Sequence, residues 1–328
     1  MNYRSVLVTA HGGPETIEIV EKPLRPPEPG EARVRVLAAP VTQDDVAVRV
    51  GNRPWLAALP FVPGYAIIGD VEAVGQGVMR VAAGDRVVAL CNFGGHAEVI
   101  YLDETKLVHA PKELDPAQAV VLLLNYLVAY QILHRVVRVE EGDSALIVGA
   151  SGGCGTAFLQ LGELAGLRMF GLASAAKHEI VRVYGATPID YRNEDFVRVI
   201  RCTEVEGLDF VFNGMAEDYL RRGMAVLRRG GVLVQYGAPQ SKAAFASFLA
   251  QFAYYNLLPN GKSIKGYGTH RLGTELFAED WATLFQLLAE GQISPVIAGC
   301  FPLSEIRQAN ALLESGKVTG NLVILPGA

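Results

Sequence analysis

An apolar run, Ala145-Leu146-Ile147-Val148, passes directly into Gly149-Ala150-Ser151-Gly152-Gly153-Cys154-Gly155-Thr156, and this junction constrains the fold more than any other stretch. The run reads as a buried strand. The residues after the turn put Ala157, Phe158, Leu161, Leu164 and Ala165 on one face of a helix. Strand, glycine-rich turn and amphipathic helix in that order form the opening unit of a dinucleotide-binding sheet. Small residues let the backbone approach a pyrophosphate, and the first helical turn offers N–H groups and the positive end of its dipole. Gly155 lets helix and sheet pack closely.

The pattern continues downstream. Strands are predicted at Met169–Leu172, Thr187–Asp190, Leu208–Phe212, Val232–Tyr236 and Ser263–Gly266. They alternate with helices at Thr156–Ala165, Lys177–Tyr184, Asp195–Arg201, Tyr219–Leu227 and Ala243–Leu257. Apolar strands separated by amphipathic helices predict an α/β doubly wound parallel sheet.

The first hundred or so residues differ. Short strands are predicted at Ser5–Thr9, Thr16–Glu21, Ala32–Ala39, Ile67–Val74, Arg86–Leu90 and His96–Tyr101, densely punctuated by Gly and Pro, as in a β-rich domain. One short helix starts at Thr42, whose hydroxyl can cap it, and runs through Arg49. The apolar stretch Ala119–Leu133, interrupted by Asn125 and Gln131, falls short of the roughly 20 apolar residues of a bilayer span and reads as a buried helix. Toward the end, helices at Ala278–Glu290 and Leu303–Ser315 and a strand at Leu322–Leu325 are expected to fold back on the first domain. The expected division is therefore 1–120 with 267–328, and 121–266.

The end of the second sheet strand selects the cofactor. An NAD site places Asp or Glu there for the ribose hydroxyls. This chain has Ala173-Ser174-Ala175-Ala176-Lys177-His178. No acid repels a 2′-phosphate, Ser174 can donate to it and Lys177 supplies positive charge, so NADPH is expected. Cys154 reads as a small residue filling the loop.

A net charge of −5 gives no footprint for nucleic acid or an anionic membrane. The opening MNYRSVLVTAHGG lacks the pattern of a signal peptide. Cys91, Cys154, Cys202 and Cys300 stand singly, as in a cytoplasmic protein without disulfides or structural zinc, and the six histidines show no metal-binding spacing.

Four stretches together resemble the medium-chain dehydrogenase/reductase superfamily, and its zinc-free quinone oxidoreductase (zeta-crystallin-like) group in particular. Pro63-Gly64-Tyr65-Ala66-Ile67-Ile68-Gly69-Asp70 through Gly75, with Gly84-Asp85-Arg86-Val87, is similar to the GroES-like domain. Ala150 to Gly155 resembles the phosphate loop, Pro188-Ile189-Asp190-Tyr191-Arg192 the third-strand signature, and Phe301 through Gly320 the C-terminal closure. Asn125-Tyr126 with Ala129-Tyr130, and Ala173 to Glu179, resemble the branch containing the synaptic-vesicle membrane homologue. The resemblance implies that Ser151, Gly152, Gly153, Cys154 and Gly155 line the pyrophosphate. It also implies that Lys177 and Tyr191 hold the 2′-phosphate, and that Asn213, Gly214, Tyr236 and Gly237 border the adenosine or nicotinamide. A homodimer built on the sheet edge at Ser263–Gly266 is a further implication.

Departures from the family matter equally. Zinc-dependent relatives carry a Cys, His and Glu set, whereas Ala66 follows Gly64-Tyr65 here, so no metal is expected. Where quinone reductases have Asn–Phe–x–Asp–x–Tyr before Arg-x-Gly, this chain has Thr42, Gln43, Asp45 and Ala47. Val128 replaces a nicotinamide-contacting Thr. Without a Lewis acid, hydride addition to a quinone or enone is favoured, because charge spreads over the conjugated system. Substrate-pocket candidates are Thr42, Trp55, Asn125, Tyr126 and Tyr267. Two rivals remain: an enoyl-thioester reductase with Arg49, Arg53 and Arg271 at its mouth, and a weakly catalytic NADPH-binding sensor or structural protein.

Overall fold

The computed structural model describes residues 1–53, 56–215, 218–237, 241–269 and 274–327. Two compact units divide the chain, Met1–Leu124 with Thr274–Ala328, and Asn125–Gly273.

The first unit opens with β1 (Asn2–Val8) paired antiparallel to β2 (Ile17–Pro23). β3 (Glu31–Val41) is the organising strand, and α1 (Gln43–Arg49) follows it. β4 (Ala66–Val74), β5 (Arg86–Leu90), β6 (Val99–Asp103) and β7 (Val108–His109) complete this part of the sheet, with β3 pairing antiparallel to both β4 and β6. Alternation along β3 sends Ala32, Val34 and Val36 into a core with Ile67, Val71, Val87 and Leu102. The opposite face carries cross-strand ion pairs that match the register: Arg35–Asp70 at 2.7 Å and Arg86–Asp70 at 2.6 Å. The strand expected at His96–Tyr101 starts later because His96 is tied into the preceding loop. Its Nε2 lies 2.9 Å from Pro40 O, and its amide donates to Pro63 O.

α2 spans Pro116–Val137. Asp115 caps it by accepting from Gln118 N, Pro116 occupies the first turn, and turns of π-helix occur at Leu122–Tyr126 and Ile132–Val137. This 22-residue helix is longer than the expected stretch, and by length and composition alone it could cross a membrane. Burial argues for a core helix: 67% of its most apolar window is buried.

The second unit contains β8 (Ser144–Val148), α3 (Gly153–Leu164), β9 (Arg168–Ala173), α4 (His178–Val183), β10 (Thr187–Asp190), α5 (Phe196–Thr203) and β11 (Leu208–Asn213). α6 (Asp218–Val226), β12 (Leu227–Gln235), α7 (Lys242–Leu257) and β13 (Ser263–Gly266) follow. All pairings are parallel, in the order β10-β9-β8-β11-β12-β13. Strand order therefore reverses beside β8, the topological switch point where doubly wound sheets bind ligands. Leu146, Val148, Leu172, Phe196, Leu220 and Leu233 are among its buried core.

The tail returns to the first unit through α8 (Thr274–Ala289), β14 (Ile297–Pro302), α9 (Ile306–Glu314) and β15 (Asn321–Leu325). β15 pairs antiparallel to β3, so the last strand joins the sheet begun by the third.

Candidate functional site

β8 is fully buried, and Gly149 beyond it has φ +78°, a backbone that favours glycine. The chain then turns through Ala150 and Ser151 to Gly152, the N-cap of α3. Gly152 has no side chain to accept from the first helical turn, so that turn keeps donor capacity for an anion. At Gly155 a Cβ would lie 2.2 Å from Gly149 O and 2.6 Å from Ala150 C. The helix therefore rests directly on the turn, which holds its N-terminus at the carboxyl end of the sheet. Cys154 donates its thiol to Asn125 Oδ1 at 3.1 Å, connecting the loop to the π-helical turn of α2.

At the ends of β9 and β10 the structure gathers cationic groups. Ser174 and Lys177 are half-buried after β9, while Tyr191 and Arg192 are exposed after β10. Arg192 Nε lies 3.4 Å from Tyr191 Oη. Burial, and then the nearby Arg192 guanidinium, push the Lys177 ammonium below its ordinary value. A bound anion would relieve that repulsion. The turn is shaped by Asp190, which accepts from Arg192 N at 3.1 Å and from Asn193 Nδ2 at 2.6 Å. The Asn193 bond, then the Arg192 amide, hold its carboxyl below the usual range. Sequence reasoning missed Arg192 as a ligand candidate and Asp190 as its organiser. The signal was present in Asp190-Tyr191-Arg192-Asn193, an Asx-type turn.

Residues 28–112 match the family described as alcohol dehydrogenase GroES-like domain, and residues 184–324 the one described as zinc-binding dehydrogenase. The synaptic vesicle membrane protein VAT-1 homolog of Rattus norvegicus is 31% identical over 340 residues, covering 99% of this chain and 84% of that relative. The chain belongs to the medium-chain dehydrogenase/reductase superfamily. Within it, the quinone oxidoreductase of Pseudomonas aeruginosa is 29% identical over 327 residues, covering 98% of this chain and 99% of that one. The crystal structure of Escherichia coli quinone oxidoreductase complexed with NADPH matches with a TM-score of 0.89 at 26% identity. That match covers 98% of this chain and 100% of that one. These matches place it in the quinone oxidoreductase-like group of the superfamily.

Among the remaining residues expected at a medium-chain dehydrogenase/reductase site, several serve the scaffold. Asn213 is fully buried; its Nδ2 donates to Gln235 Oε1 at 2.8 Å and its Oδ1 accepts from Met215 N. Gln235 Nε2 in turn donates to Met215 O and Gly237 O, so these two amides clasp the ends of β11 and β12. Gly214 and Gly237 are in close contact: a Cβ on Gly237 would lie 2.0 Å from Gly214 O. The Tyr236 ring covers Gly214 and packs 5.3 Å from Phe158. Burial, then Cys154, push its hydroxyl well above the ordinary value.

The pocket candidates fare differently. Thr42 forms a capping box: its Oγ1 accepts from Asp45 N at 3.2 Å and donates to Asp45 Oδ2 at 2.7 Å. Asp45 Oδ1 accepts from Gly64 N at 2.8 Å, so the threonine and aspartate are committed to the turn. Tyr126 is fully buried, and its hydroxyl has no hydrogen-bond partner among the described residues. Tyr267 donates to Gln131 Oε1 at 2.7 Å. Asn125 accepts from the Cys154 thiol and so ties the glycine-rich turn to α2. Trp55 and Arg271 lie outside the described residues. Arg49 is buried and pairs with Glu314 and Gly12 O, and Arg53 is buried and pairs with Asp44. Neither forms an exposed basic mouth, which corrects that expectation of the thioester reading: an internal guanidinium is neutralised where it sits.

Proposed function

We propose that this protein uses NADPH, without zinc, to reduce a conjugated carbonyl acceptor, a quinone or an enone. The observation that carries the reading is the carboxylate-free end of β9, where Ser174 and Lys177 share the region with Tyr191 and Arg192. That donor set suits a 2′-phosphate, and β9 ends without the carboxylate that would hold a free ribose diol. Ser151 to Gly155 fit a pyrophosphate, because the close packing at Gly155 seats the helix N-terminus on the turn. NADPH in the crystal structure of the Escherichia coli quinone oxidoreductase supports the same choice.

The reduced nicotinamide, when bound, supplies the hydride. A conjugated acceptor delocalises the resulting charge, so ordinary donors can stabilise it. With Ala47 in the usual tyrosine position and the Thr42 hydroxyl held by Asp45, water is the proton source in this reading. Zinc independence is supported by the donors present. Ala66 offers no ligand, and Cys91 donates its thiol to Gly64 O while burial pushes it up to about 12, which keeps it protonated. Four free cysteines suit a reducing cytosol.

The test is a titration with NADPH and NADH of the wild type, Lys177→Ala and Arg192→Ala, followed by NADPH oxidation over quinones, enones and crotonyl-CoA. Each variant should weaken NADPH about tenfold and leave NADH unchanged. Turnover should favour quinones or enones. Binding of neither dinucleotide at millimolar concentration would overturn the oxidoreductase reading; tight binding without turnover would favour a sensor.

A further inference from the structure

The carboxyl ends of β8, β11 and β12 lie side by side, because these strands are neighbours in the sheet. Two buried carboxamides shape the backbone there. Gln235 Nε2 donates to Met215 O at 3.0 Å and to Gly237 O at 2.8 Å, and Gln235 Oε1 accepts from Asn213 Nδ2 at 2.8 Å. Asn213 Oδ1 accepts from Met215 N at 3.0 Å. The amide and the carbonyl of Met215 are thus both held by side chains from the strand ends. What Met215 presents is its thioether, on a residue that is 49% exposed. A Cβ built on Gly149 would lie 3.9 Å from both Met215 Cγ and Met215 Sδ. The thioether therefore stands beside the first glycine of the turn that leads into α3.

Sheet order says which part of a dinucleotide would pass this point. The donors suited to a 2′-phosphate follow β9 and β10, on one side of β8, and the α3 N-terminus beyond β8 suits the pyrophosphate. β11 lies on the other side of β8, across the switch point. A dinucleotide spanning those two places continues over the end of β11 with its nicotinamide half. We propose that Gln235 is a positioning residue for that half: with Asn213 it fixes the Met215 backbone, and the Met215 thioether supplies the apolar surface on which the nicotinamide half rests. The proposal rests on the dinucleotide reading given above. Gln235 is 7% exposed and acts through Met215. A buried carboxamide network suits this task, because the loop cannot shift without leaving buried polar groups unpaired. The unbranched, polarisable thioether can adapt to the ring it meets.

The experiment is a calorimetric titration of the full chain with NADPH and with adenosine 2′,5′-bisphosphate, which carries the 2′-phosphate but no nicotinamide half. The proteins are the wild type, Gln235→Met, Met215→Ala and the double variant. Each single variant should weaken NADPH about tenfold and leave the bisphosphate within about twofold of wild type. The double variant should bind NADPH no more weakly than the weaker single variant, because the two side chains act as one unit. Equal weakening of both ligands by Gln235→Met would show a purely structural clasp and overturn the proposal. Unchanged NADPH affinity in the single variants, or additive losses in the double, would overturn it too. A wild type that binds neither ligand would overturn the dinucleotide reading, and this proposal with it. Should Gln235→Met fail to fold, the ratio of the two affinities in Met215→Ala decides alone.

Discussion

Replacing Gly155 with alanine tests whether the proposed dinucleotide site depends on contact between α3 and the glycine-rich turn. The added Cβ would meet Gly149 O at 2.2 Å, Ala150 C at 2.6 Å and Ala150 Cα at 2.7 Å, all backbone, against an ordinary contact distance of 3.4 Å or more. No side chain can swing aside, so the start of α3 must retreat by about an ångström from a close-packed interior. Overpacking of this kind costs about 1–3 kcal/mol. At about 2–4 °C per kcal/mol for a domain of this size, melting should fall by several degrees. Gly152→Ala is the matched control. Its φ is −82°, and the nearest atom to its new Cβ, Gly149 O, stands at 3.5 Å. It should melt within about 1 kcal/mol of wild type while placing a methyl where an anion would approach the helix N-terminus. Differential scanning calorimetry and NADPH titration on both variants separate the outcomes. Gly155→Ala should lose stability and binding together, and Gly152→Ala binding with little change in stability. A Gly155→Ala protein that melts and binds as wild type would refute the close-contact argument.

Three further outcomes follow from the geometry. Thr42→Ala should destabilise the first unit by about 1 kcal/mol through loss of its capping box, with Thr42→Ser restoring it; a thermal melt checks this. Asp209 accepts from Ser144 N at 2.8 Å and Ser144 Oγ at 2.7 Å and pairs with Arg228. Burial raises its carboxyl, but these bonds outweigh that and leave it below the ordinary value. Its stabilising contribution is therefore complete above about pH 4 and is lost as pH falls through the lower folded value. Asp209→Asn should cost about 1–2 kcal/mol at neutral pH in urea unfolding, with the gap to wild type closing in acid. Alkylation of the native protein with iodoacetamide near pH 8, read by mass spectrometry, should label the exposed Cys202 and Cys300 and spare Cys91 until the chain unfolds.

Much of this architecture was legible along the chain because it is local. β8, the glycine turn and α3 are contiguous, and their periodicity and small residues state the strand–turn–helix unit without reference to anything distant. The Thr42 cap was likewise readable, since the capping box closes within four residues. The pocket candidates were harder. Thr42, Asn125, Tyr126 and Tyr267 are polar groups in apolar surroundings, and sequence does not reveal whether such a group faces a cavity or a partner. The partners proved to be Asp45, Cys154 and Gln131, with none among the described residues for Tyr126.

What the amino-acid order determined by itself is the alternation of strands and helices, the glycine-rich turn between β8 and α3 and the absence of an acid at the end of β9, all short-range properties of residue size, hydropathy and charge. Only the tertiary structure decided which distant groups meet. Crossovers of the parallel sheet bring Arg192 near Lys177, join Asn213 to Gln235, and set Asn256 against Ile264. The physical reason is that side-chain hydrogen bonds and charge pairs act over a few ångströms of space, whatever the separation along the chain, so their partners are chosen by packing.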